Sequence, residues 1–180
     1  MRREVDRARL EAFLRALGQA SREGATVYLT GGATALLHGW RTSTVDVDLK
    51  LEPESDALLR ALPRLKEELQ INVELASPDG FLPELPGWRE RSTLVGTEGR
   101  LTIRHYDLHA QALAKIERGH ARDLDDVAQM LRRRLVTPAK LRALFEETFP
   151  LLYRFPAVDP QTFRRSLEAA LRAPAPDREE

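Results

Sequence analysis

From Thr44 to Leu51 the chain alternates without a break, with Val45, Val47, Leu49 and Leu51 on one side and Asp46, Asp48 and Lys50 on the other. A period of two is that of a β-strand with one buried face. On such a strand, residues two apart project in the same direction, so Asp46 and Asp48 leave the same face. Any fold open to this chain must bury the valine and leucine side of that strand. The two carboxylates then face water or a ligand.

The segments around it are placed by the same kind of pattern. Leu10, Phe13, Leu14 and Leu17 recur at helical spacing and predict an amphipathic helix within residues 3–23, ended by Gly24. Val27-Tyr28-Leu29-Thr30 predicts a short buried strand, broken by Gly31-Gly32 and followed by a short helix over 33–38. Pro53 opens a helix over 54–69 whose apolar face is Leu58, Leu59, Leu62, Leu65 and Leu69. Ile71 to Leu75 alternates again, with Asn72 and Glu74 on the polar side. Pro78, Gly80, Pro83, Pro86 and Gly87 make residues 77–90 a loop. Residues 92–96 and 101–105 predict a hairpin turning at Glu98-Gly99, and helices follow over 107–118, 121–133, 138–148 and 160–172. No internal repeat is present. Strands mixed with helices, then helices alone, predict an α+β (α/β) fold: a mixed β-sheet flanked by helices, with a C-terminal helical part. The expected division is a core over 1–106, a helical part over 107–172 packed on that core, and a frayed tail over 173–180.

Composition narrows the function classes. A chain of 180 residues has room for one compact domain, or a core with a small appendage. Its 28 Lys+Arg cancel its 28 Asp+Glu, which excludes a strongly basic nucleic-acid coat. A local basic run remains in Arg132-Arg133-Arg134 with Lys140 and Arg142; it reads equally as a seat for RNA backbone or as a solvated helix end. The absence of Cys excludes disulfides, cysteine-bound zinc and a thiol nucleophile. His38, His105, His109 and His120 have no spacing that closes a zinc site. The first residues are charged without an apolar segment behind them, and no apolar run approaches bilayer length. The expectation is a cytoplasmic protein with no membrane partner.

Chemistry concentrates in Thr30-Gly31-Gly32-Ala33 and Asp46-Val47-Asp48. Either half alone has a plain reading, the glycines as a tight turn and the aspartates as a solvated face. Together they suit a phosphate ligand and a divalent cation. Glycines let backbone approach a ligand closely, and the helix start after them favours phosphate. Two carboxylates on one face repel unless a cation lies between them. Magnesium takes carboxylate oxygens and completes its shell with water and substrate phosphates.

A glycine pair, a short helix and then Asp-x-Asp on the next strand resembles the polymerase-beta-like nucleotidyltransferase superfamily. The resemblance is closest to the small stand-alone branch related to the AbiEii and MenA toxins of bacterial toxin–antitoxin systems. The second motif that carries it is Asp107 to Val127, with Lys115, the pair Arg122-Asp123 and Asp126. The matching motifs cover residues 26–52 and 105–131. The resemblance implies a Mg2+-dependent transfer of NMP from an NTP such as ATP to an acceptor hydroxyl, on a tRNA 3′ end or a protein, with a cognate toxin or antitoxin as a further partner. It also implies site residues: Asp46 and Asp48 as catalytic metal ligands; Gly31, Gly32 and Ala33 at the phosphates; Arg41 as the basic residue of the loop after them. Lys115 would contact the phosphates, with Asp126 and Asp123 orienting it or completing the acidic site. A third carboxylate is expected on a later strand, and Glu74 stands there, either in that role or as a plain exposed residue. Many members carry Ser or Thr after the glycine pair where this chain has Ala33, with Thr34 or Thr30 nearby as substitutes. That departure, with the open third carboxylate, supports an alternative: a degenerate, non-catalytic nucleotide-binding or interaction module of the same fold. On an unbroken helix Lys115, Arg122 and Asp126 would share one face, with Gly119 as the point of interruption; the plain reading is an exposed face with local ion pairs.

Overall fold

The computed structural model describes residues 4–172, so the expected tail over 173–180 lies outside the described residues. The chain forms two compact units. The first holds the residues up to Ser77 together with Ser92–Tyr106; the second holds Pro78–Arg91 and the residues from Asp107 on.

In the first unit the order is α1 (Arg7–Ala20), β1 (Ala25–Thr30), α2 (Gly31–His38), β2 (Asp46–Glu52), α3 (Asp56–Glu68) and β3 (Asn72–Leu75). In the second, Pro78–Gly80 forms a 3-10 turn and α4 (Trp88–Arg91) follows, so the stretch 77–90 expected as loop contains one short helix entering at Trp88. The first unit resumes with the hairpin β4 (Leu94–Glu98) and β5 (Leu101–His105). The second continues with α5 (Leu108–Arg118), α6 (Ala121–Arg132), α7 (Pro138–Thr148), a 3-10 segment (Phe149–Arg154) and α8 (Pro160–Arg172).

The sheet is five-stranded and mixed, in the order β3-β2-β1-β5-β4. Strand β1 is antiparallel to β2 and parallel to β5; β2 is parallel to β3, and β4 is antiparallel to β5. From Asp46 on, strand β2 shows the alternation its sequence demands, but Val45, expected on the buried side, precedes the strand and is exposed. Val47, Leu49 and Leu51 are buried in one core cluster with Val27 and Leu29 of β1, Leu101 and Ile103 of β5, and the apolar stripes of α1 and α3. Asp46, Asp48, Lys50 and Glu52 point to the other face and are only half-buried. Burying a leucine side chain contributes about 1.5–3 kcal/mol, so a one-residue slip of β2, which would turn these residues outward, is strongly disfavoured.

Caps set the helix limits. Asp6 accepts the Arg9 N–H at 2.9 Å and starts α1, which closes at Ser21, three residues before Gly24. Ser55 caps α3 by accepting from Leu58. Strand β2 begins at Asp46 because Thr44 is engaged elsewhere: it exchanges backbone hydrogen bonds with Val5 at 2.7 and 2.9 Å. In the second unit Phe145 makes edge-to-face contacts with Phe149 and Phe163 at 5.6 and 4.9 Å. Arg142 of α7 pairs with Glu168 of α8 at 2.8 Å.

Candidate active site

Strand β1 runs out at Thr30 and α2 starts at once on Gly31, whose φ of +57° lies in the left-handed region that favours glycine. Thr30 sits at the N-cap and makes no side-chain capping bond. A β-carbon on Gly31 would lie 2.7 Å from Oδ2 of Asp48. The acidic strand therefore faces the glycine turn, with the Asp48 carboxylate against the Gly31 backbone. Gly32 is required by a different neighbour. A β-carbon there would lie 2.7 Å from Cβ of Thr44 and closer still to its Oγ1. Thr44 is fixed by its bridge to Val5, and its hydroxyl donates to the Asp46 carbonyl at 3.0 Å. The glycine pair thus lets the start of α2 and the entry to β2 close on each other.

The carboxylates form a row across two strands. Register pairs Thr30 with Asp48 on one side, and Asp46 with Asn72 and Asp48 with Glu74 on the other. Asn72 donates through Nδ2 to Asp46 Oδ1 at 2.6 Å and to Glu74 Oε1 at 2.9 Å. Both neighbours are acceptors, so the amide NH2 is the end that must face them. Register, which is not written locally in the sequence, thus brings Glu74 beside the aspartate pair.

The donor set fits a hard divalent cation, because these carboxylates offer oxygen without nitrogen or sulfur. Among the described residues no group of three or more His, Cys, Asp or Glu side chains could by itself hold a metal ion. A cation at Asp46 and Asp48 would accordingly draw further ligands from substrate phosphate and water, as magnesium commonly does.

Ala33 is wholly buried in the core cluster, so its methyl offers nothing to a ligand at the turn. Thr34 is also buried; its hydroxyl donates to the Leu29 carbonyl at 3.1 Å and lies 3.2 Å from His105 Nδ1. It faces inward and does not replace the missing hydroxyl at the turn. Arg41 lies half-buried in the loop between α2 and β2, with its backbone N–H on the Ala35 carbonyl at 3.4 Å. Beside it the rings of Trp40, His38 and His105 stack in series, with centroids 5.3 and 4.4 Å apart. Burial, with a contribution from His38, lowers the His105 pKa to about 4.

Lys115, Asp123 and Asp126 lie in the second unit, where the helix breaks at Gly119, a left-handed C-cap. The face expected to be shared by Lys115, Arg122 and Asp126 on an unbroken helix is therefore absent, and Arg122 is exposed. Packing of α5 against α6 brings the three side chains together instead. Lys115 Nζ donates to Asp126 at 2.6 Å and to Asp123 at 3.2 Å, and all three residues are at least 95% buried. Arg118 adds a two-point pair to Asp123 at 2.6 and 2.7 Å. Burial pushes the Asp123 carboxyl up, but the bonds from Arg118 and the charge of Lys115 outweigh it and hold the carboxyl below its usual range.

A third buried carboxylate, Asp107, to which the sequence assigned no role, lies in the second unit. Asp107 caps α5 by accepting from His109 N–H at 3.1 Å and takes two bonds from Arg91, at 2.6 and 3.0 Å. Burial raises its pKa, and the hydrogen bonds from His109 and Arg91 more than reverse the effect. The Asp at a helix start was a legible signal; its Arg91 partner, sixteen residues away, was not.

No helix among the described residues is long and apolar enough to cross a membrane. No curated protein and no solved structure matches the chain. Residues 8–163 match a family described as nucleotidyltransferase of unknown function (DUF6036). That span takes in the glycine turn, the carboxylate row and the Lys115 cluster, and the chain belongs to this nucleotidyltransferase family.

Proposed function

We propose that the protein transfers a nucleoside monophosphate from an NTP to an acceptor hydroxyl. The observation that carries this is how close the Asp48 carboxylate lies to the glycine turn, 2.7 Å from where a β-carbon on Gly31 would be, in a row that also holds Asp46 and Glu74. The acceptor oxygen attacks the α-phosphorus in line, the bond to the bridging oxygen breaks, and pyrophosphate leaves with that electron pair. Glu74 takes the hydroxyl proton. Gly31 and Gly32 present backbone to the triphosphate, and Arg41 offsets part of its charge. Asp46 and Asp48 would hold Mg2+, which when bound offsets charge on the attacking and leaving oxygens.

By its resemblance to toxin-type nucleotidyltransferases, the proposed acceptor is a tRNA 3′ end, with a protein hydroxyl as the second class and a cognate toxin or antitoxin as partner. The test is incubation with each α-labelled NTP, Mg2+, and cellular RNA and protein. Label entering RNA or protein supports transfer and identifies the acceptor class; no label with any NTP contradicts it.

One observation favours the alternative of a non-catalytic nucleotide-binding module. The Ala33 methyl and the Thr34 hydroxyl both face inward, leaving the turn without a side-chain hydroxyl after its glycines. Calorimetry with ATP and Mg2+ distinguishes the two readings, because binding without turnover supports the module.

A further inference from the structure

We propose that Asn72 is a positioning residue for the acidic site, acting through Asp46 and Glu74. The inference rests on the nucleotidyl-transfer reading above. Its basis is one nitrogen whose two hydrogens serve two carboxylates on neighbouring strands, at 2.6 and 2.9 Å.

Asp46 is half-buried on β2, and Glu74 is exposed on β3. Without a donor between them, these like charges repel and each side chain has several rotamers open to it. The Asn72 amide removes that freedom. It takes Oδ1 of Asp46 and Oε1 of Glu74, which leaves Oδ2 and Oε2 as the oxygens free of this bond. Asp46 is thereby set to bind a cation through one oxygen rather than two, and Glu74 keeps one oxygen for a proton. The amide is neutral, so it separates the carboxylates without supplying a fixed positive charge that would compete with the cation. Hydrogen-bonding partners that orient metal ligands commonly contribute 10–100-fold to affinity.

The test is titration of the whole protein with Mn2+ in the presence of ATP, which supplies the phosphate ligands, with the protein-bound ion followed by electron paramagnetic resonance, for wild type, Asp46→Asn, Asn72→Ala and Asn72→Gln. Wild type should bind and Asp46→Asn should not. Asn72→Ala should bind about 10-fold more weakly or worse at an unchanged urea midpoint. Asn72→Gln, which keeps the amide on a longer stem, should recover part of the loss. Equal Mn2+ affinity in Asn72→Ala and wild type, with binding lost in Asp46→Asn, overturns the positioning role and leaves the transfer reading intact. No Mn2+ binding by wild type, with or without ATP, removes the transfer reading and this inference with it. If Asn72→Ala is unfolded by circular dichroism, Asn72→Ser, which keeps a single donor for one carboxylate, carries the same comparison.

Discussion

A methyl group on Gly31 would sit 2.7 Å from Oδ2 of Asp48, well inside van der Waals contact. The same position has a φ of +57°. Gly31→Ala therefore meets two penalties at once. The left-handed backbone costs a non-glycine residue about 1–2 kcal/mol, and the methyl displaces the carboxylate. The expected outcome is a lower urea midpoint together with loss of NTP turnover. Turnover at the wild-type level would show that Asp48 has no fixed relation to the turn.

Lys115→Met leaves Asp123 and Asp126 buried without their shared cation, although Arg118 still serves Asp123. Removing one partner of a buried ion pair costs about 3–5 kcal/mol. The variant should lose that order of stability in urea unfolding. Pairing it with Asp126→Leu should restore part of the loss, because a buried negative charge goes together with the ammonium that offset it. A stability equal to wild type in the single variant would mean that the ammonium does not hold the corner between α5 and α6.

Acidification should weaken the first unit through His105. Its ordinary value of 6.5 falls to about 4 in the fold. Between those values the unfolded chain binds a proton that the folded chain does not, so stability rises with pH across the window. The contribution is complete above pH 6.5 and is lost as pH falls to about 4. It amounts to about 3 kcal/mol. Urea midpoints measured across this range should fall with pH in wild type, and His105→Asn should flatten the slope.

Local patterns made much of this molecule legible. The alternation in β2, the leucine stripes of α1 and α3 and the hairpin turn near Gly99 each depend on neighbours within a few residues, and each is present. Failures arose where a structural cause lies far along the chain. Thr44 reads as strand, yet Val5 draws it into a bridge. Trp88–Arg91 reads as loop because prolines and glycines surround it, although it folds into a short helix whose Arg91 reaches Asp107. Lys115, Arg122 and Asp126 read as one helix face, yet the break at Gly119 leaves Arg122 exposed and brings Lys115 to Asp123 and Asp126 across it. Asn72 reads only as the polar side of a strand, since the register that sets it against Asp46 belongs to two segments 26 residues apart.

The most direct test of the central claim is transfer of label from an α-labelled NTP in the presence of Mg2+, comparing wild type with Asp46→Asn and Asp48→Asn at matched folded concentration. If the carboxylate row facing Gly31 performs nucleotidyl transfer, wild type passes label to an acceptor with release of pyrophosphate, and both variants lose nearly all of it. Equal transfer by wild type and Asp46→Asn, or none by wild type with any of the four NTPs and cellular RNA or protein, contradicts it.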